Sequence, residues 1–84
     1  MATTDDVKQI ILEVSQLGGT ADGIDNASSL DGLNFDNNMC SELTARLNTY
    51  INSKGSNNTI NSRDINTGLS VQNIIDMVSQ KLAA

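Results

Sequence analysis

Eighty-four residues with ten acids, five bases, a net charge of −5, no His and one Cys make a short acidic chain near the lower size limit for folding on one core. That inventory excludes an internal disulfide, a zinc site built on His and Cys, and any nucleophile–base pair that relies on imidazole. No run approaches the roughly 18 apolar residues of a spanning helix, so no contact with a membrane is expected.

One domain over residues 1–84 is predicted. Asp5 and Asp6 stand where a signal peptide needs positive charge, so a cytoplasmic location is expected. The sequons at Asn26-Ala27-Ser28 and Asn57-Asn58-Thr59 are then incidental. Charge is unevenly spread. No base lies between Lys8 and Arg46, a span that holds Glu13, Asp22, Asp25, Asp31, Asp36 and Glu42. A field of one sign repels phosphate backbones and attracts basic protein surfaces, so no nucleic acid is expected as partner and a basic protein is.

Val7, Ile10, Ile11, Val14 and Leu17 share one face of a helix, which Thr3 or Thr4 caps and Gly18-Gly19 ends. Residues 18 to 35 form a loop with four Gly and five acids or amides. Ile24, Leu30, Leu33 and Phe35 are spaced as anchors to the core, and the loop's length favours an ordered segment or one embedded turn. Its carboxylates lack the regular oxygen spacing and closing Glu of a calcium loop.

The second helix is predicted from Asp36, whose carboxylate caps the first turn. Met39, Leu43, Leu47, Tyr50 and Ile51 form its apolar stripe, Glu42 and Arg46 pair four apart, and Lys54-Gly55 closes it. Gly55 to Ser62 reads as a turn, and Arg63 to Thr67 as a single helical turn holding Ile65 inward. Ser70 caps a last helix striped by Val71, Ile74, Ile75, Val78 and Leu82, with Lys81 in its final turn. The fold class is all-α: a small irregular bundle of three long helices and one short.

Chemistry concentrates where the second helix begins, at Asp36, Asn37, Asn38, Met39, Cys40 and Ser41. Asn37 and Asn38 read as exposed first-turn residues. Cys40 is a thiol near a helix start, a place that favours the thiolate, but the acids around it oppose that. It reads as a small, partly buried hydrophobe. Ser28, Ser29 and Ser41 have no activating base nearby in sequence.

Two runs carry a resemblance. The first is Asp25-Asn26-Ala27-Ser28-Ser29-Leu30-Asp31-Gly32-Leu33-Asn34-Phe35-Asp36-Asn37-Asn38; the second is Met39-Cys40-Ser41-Glu42-Leu43-Thr44-Ala45-Arg46-Leu47. Together they resemble the acyl and peptidyl carrier proteins of fatty acid, polyketide and nonribosomal peptide synthesis. That family is marked by Asp-x-x-Ser-Leu-x-x-Leu-Gly-hydrophobic-Asp-Ser-Leu followed by a helix with Glu-Leu and Arg-Leu. This chain is one residue longer in the loop, and Ser70 to Ile75 resembles the start of the family's last helix.

The resemblance implies a small acidic four-helix bundle of the carrier type, a non-enzymatic role, and docking onto synthase or modifying enzymes with a basic surface. It implies Asp31, Asp36, Asn37, Asn38, Ser41, Glu42 and Thr44 as partner-binding residues, on a monomer. Three departures matter. The family's Ser, which carries 4′-phosphopantetheine, is Asn37; the Leu after it is Asn38; the Gly before the hydrophobic residue is Asn34. A carboxamide cannot replace a hydroxyl in that transfer, so no cofactor is expected. The alternative is a true carrier that uses a displaced attachment residue (Ser28, Ser29 or Ser41) or binds an acyl ligand without a covalent bond.

Overall fold

A computed structural model of the chain describes residues 3–16, 20 and 23–83. Three α-helices run over Thr3–Ser15 (α1), Asn37–Ser53 (α2) and Val71–Ala83 (α3). Two single 3-10 turns, Asp31–Leu33 and Ser62–Asp64, lie in the connections. Among the described residues there is no strand, only an isolated bridge between Ser29 and Ser70, and no helix is long and apolar enough to cross a membrane. The all-α class is as expected. The short fourth helix is not: Arg63 to Thr67 does not continue as helix because Asn66 folds back, its Oδ1 accepting from Gly68 N at 2.9 Å. That side-chain turn competes directly with helical hydrogen bonding. Ile65 is nonetheless buried.

α1 packs on both α2 and α3, which touch each other less. It runs antiparallel to α2, because Tyr50 Oη donates to Asp6 at one end and Arg46 meets Glu13 at the other. One continuous core takes Val7, Ile11, Leu12 and Val14 from α1, Leu43, Leu47 and Ile51 from α2, and Val71, Ile74, Ile75 and Val78 from α3. Ile24, Leu30, Phe35, Ile60 and Ile65 close it from the connections. The buried stripe of α2 is rotated from the expected one. Cys40 and Thr44 face inward, while Met39 and Tyr50 lie at the margin. Leu33 and Leu82 are also marginal.

Helix ends are set by specific bonds. α2 closes as predicted, with Gly55 at φ +89°, Ser56 N donating to Ile51 O and Gly55 N to Asn52 O. These are the two bonds of a Schellman ending, which needs a left-handed residue at that position. α1 ends earlier than predicted. Gln16, not glycine, takes the left-handed conformation at φ 58°, its N–H donating to Leu12 O. Leu17, Gly18, Gly19 and Asp22 lie outside the described residues, and Thr3 and Thr4 are already inside the helix.

At the start of α3, Ser70 caps Asn73 N and Asn73 Oδ1 accepts from Ser70 N in return. Val71 N and Gln72 N donate to Ser28 O and Asn26 O of the long loop. The first four N–H groups are thus satisfied, since Ile74 N reaches Ser70 O. This fastens the loop to α3 and fixes where it delivers Asp36.

Candidate functional site

The loop enters α2 through a short sequence of local constraints. Leu30 is fully buried, and Leu33 N and Phe35 N both donate to its carbonyl. Between them Asn34 adopts φ 66°, ψ 28°, with its N–H on Asp31 O. Outside glycine, Asn is among the residues that tolerate this left-handed region best. The chain then reverses and buries Phe35. Asp36 follows in extended backbone and caps α2, its Oδ1 accepting from Met39 N at 2.8 Å.

Asn37 is therefore the first helical residue after the cap, and it is exposed, as is Asn38. Neither side chain makes a hydrogen bond within the described residues. Ser41 and Glu42 are exposed on the next turn. Glu42 Oε2 accepts from Arg46 Nε at 2.8 Å, and Arg46 also lies 3.6 Å from Glu13 Oε1 on α1. Asp31, exposed in the 3-10 turn, is tied through its backbone N–H to Thr67 O. Asp31, Asp36, Asn37, Asn38, Ser41 and Glu42 thus all lie on exposed positions of one continuous segment.

Thr44 does not join them. It is buried, its Oγ1 donating to Cys40 O at 2.8 Å within the helix, so it cannot meet a partner. The one-turn back-bond satisfies the hydroxyl and lets a polar residue take a core position. The carrier resemblance placed Thr44 on the partner-binding face, and the burial of that position overrides it. The spacing of Thr44, four from Cys40 and three from Leu47, was the available signal.

Cys40 is buried, and its thiol pKa is pushed up, first by burial and then by the neighbouring Asp36 carboxylate. That environment disfavours a nucleophilic thiolate. Of the loop hydroxyls, Ser29 Oγ already accepts from Gly32 N at 3.0 Å. Asp25 Oδ1 accepts from Ala27 N at 2.9 Å as part of a local turn.

At the opposite end of α2, Tyr50 Oη donates to Asp6 Oδ2 at 2.7 Å, and Lys54 Nζ stands 5.4 Å from the centre of the Tyr50 ring. Burial and the Asp6 bond push the Tyr50 phenol up, with a Thr3 hydrogen bond acting the other way. Lys54 and Asp6 thus meet Tyr50 at this end, whereas Asp31, Asp36 and Glu42 lie toward the loop end of α2. Comparison with protein families, with curated proteins and with solved structures gave no match.

Proposed function

We propose that this protein is a non-enzymatic, acyl-carrier-like interaction module that is not phosphopantetheinylated at position 37. The carrier reading gives the three helices and the 3-10 turn at Ser62–Asp64 the role of the family's three long helices and its short one. The observation that carries it is the joint geometry of Asn34, Asp36 and Asn37. The residue in the family's Gly position is left-handed, the family's Asp is the helix cap, and the residue in the family's Ser position is exposed directly after it. These three positions support reading Asn37 as the family's attachment position with no hydroxyl to carry the arm.

What remains is a recognition surface. Asp31, Asp36 and Glu42 present acidic groups with Asn37, Asn38 and Ser41 between them. Such a surface steers a basic groove of a synthase or modifying enzyme into contact, governing association rate more than final affinity.

Two measurements test the proposal. Incubation with coenzyme A and a promiscuous phosphopantetheinyl transferase leaves the intact mass unchanged, whereas Asn37→Ser gains the arm; a mass gain in the unaltered protein overturns the claim. Docking weakens with added salt and with Glu42→Lys. Glu42 and Arg46 are about half exposed, so losing their pair changes stability by less than about 1 kcal/mol. Weaker binding by that variant is then a surface effect, and salt-independent binding counts against the reading.

A further inference from the structure

A groove of about 420 Å³ runs between α1 and α2, beside the docking surface and open to solvent. Its apolar lining comes from Ile10, Ala45 and Tyr50, and its charged lining from Glu13, Glu42 and Arg46. The three charges are not equally engaged. Arg46 holds Glu42 at 2.8 Å but reaches Glu13 only at 3.6 Å. Glu13 has one further contact, from Gln9 Nε2 at 3.5 Å, at the limit of a hydrogen bond. Its side chain is half exposed. Two carboxylates against one guanidinium leave the groove with a net negative charge and one carboxylate poorly paired.

We propose that this groove receives a helix of a basic protein partner, through an apolar side chain that stands one turn from an Arg or Lys. The apolar side chain covers Ile10 and Ala45. The cation takes the carboxylate of Glu13, while Arg46 stays on Glu42. Two residues four apart on a helix present that pair on one face, and a groove between two helices accepts a third by its side-chain ridge. The partner's positive charge rests on the docking reading given above; the insertion into the α1–α2 groove goes beyond it and involves α1.

The probe is a capped, alanine-based helical peptide carrying Leu and Arg four apart, titrated into the 15N-labelled full chain. Amide shifts are expected at Ile10, Glu13, Ala45 and Thr49. A control peptide with the Leu replaced by Ala has the same charge and is expected to bind about tenfold more weakly. Glu13→Gln weakens the Leu–Arg peptide by about two- to fivefold.

Ala45→Glu separates insertion from simple attraction, because it adds negative charge yet fills the groove. Ala45 is exposed on α2, so the variant's fold is checked by its circular dichroism alone. Weaker binding supports insertion. Unchanged or tighter binding overturns it. If Glu42→Lys abolishes binding while Glu13→Gln and Ala45→Glu leave it intact, the groove inference fails and the docking surface stands. If none of the three variants weakens binding, both fail.

Discussion

Asn48 is the side chain whose removal should damage the fold most for its size. It lies on α2 and bonds the backbone of Ile60 twice: its Nδ2 donates to Ile60 O at 3.0 Å and its Oδ1 accepts from Ile60 N at 2.7 Å. The amide takes the place of a neighbouring strand for one residue of the Asn-rich connection, and Ile60 is only 3% exposed. In Asn48→Ala both backbone groups lose their partner in a largely dry setting. Two net bonds of about 1 kcal/mol each, plus the desolvation of whichever group water does not reach, give about 2–4 kcal/mol. The better helix propensity of Ala returns about 0.5 kcal/mol. For 84 residues, a total stability of about 4–13 kcal/mol is expected, so the loss is a large share. Urea unfolding followed by far-UV circular dichroism measures it, and native-state hydrogen exchange at the Ile60 amide localises it. A loss below about 0.5 kcal/mol, the range of neutral surface changes, or unaltered Ile60 protection would refute the argument.

Gln16 bears the strain of a left-handed residue with a Cβ, so Gln16→Gly raises stability by about 0.5–1 kcal/mol despite the entropy of glycine; destabilisation in the same urea assay contradicts the assignment. The Cys40 thiol is pushed up by burial and Asp36, so disulfide-exchange reagents label it slowly in the native protein and rapidly in urea. Rapid native labelling near neutral pH contradicts that. Tyr50 is also pushed up, meaning the folded state holds the phenol proton more tightly than the unfolded chain. Its contribution to stability is present below about pH 10 and declines as pH rises through the folded value. Tyr50→Phe costs about 1 kcal/mol near neutral pH through the lost Asp6 bond and removes that part of the alkaline decline; an unchanged alkaline slope in the variant refutes the attribution.

The long helices were legible because their apolar periodicity is imposed by the core. Val7, Ile11, Leu43, Leu47, Val71 and Ile74 are all buried as the spacing predicts. So were the caps at Asp36 and Ser70 and the glycine at position 55, each a residue type with one local reason to be there. What escaped was set by packing and by side-chain and backbone bonds that composition does not select. Thr44 is inside because α2 is rotated toward α1 and α3, and its hydroxyl is satisfied within its own turn. Ile60 is inside because Asn48, twelve residues away, secures its backbone. The early end of α1 at Gln16 runs against propensity, and no rule of composition selects it over the glycines that follow. At the candidate site the sequence indicated Asp36, Asn37, Asn38, Ser41 and Glu42, all exposed, but not the meeting of Glu42, Arg46 and Glu13 across two helices.

The asparagines show how a chain with a small core orders its connections, and they make Asn37 stand out. Asn26 Nδ2 bonds Gln72, Asn58 Nδ2 bonds Lys81 O, and Asn61, Asn66 and Asn73 each cap a nearby N–H. Asn48 secures Ile60, and Asn34 supplies a left-handed residue. Each substitutes side-chain hydrogen bonds or backbone tolerance for apolar burial, which a chain this short has in limited supply. Asn37 and Asn38 do neither, in common with exposed Asn52 and Asn57. Unlike those two, they follow a capped helix start that four successive constraints, at Leu30, Asn34, Phe35 and Asp36, hold in place. A rigid support beneath two amides with no structural bonds is what a contact surface requires, because a preorganised surface loses less conformational freedom on binding. No hydrogen bond within the described residues accounts for either amide there, and under the proposed docking reading they are free to meet a partner, which is why Asn37→Ser and Glu42→Lys are its direct tests.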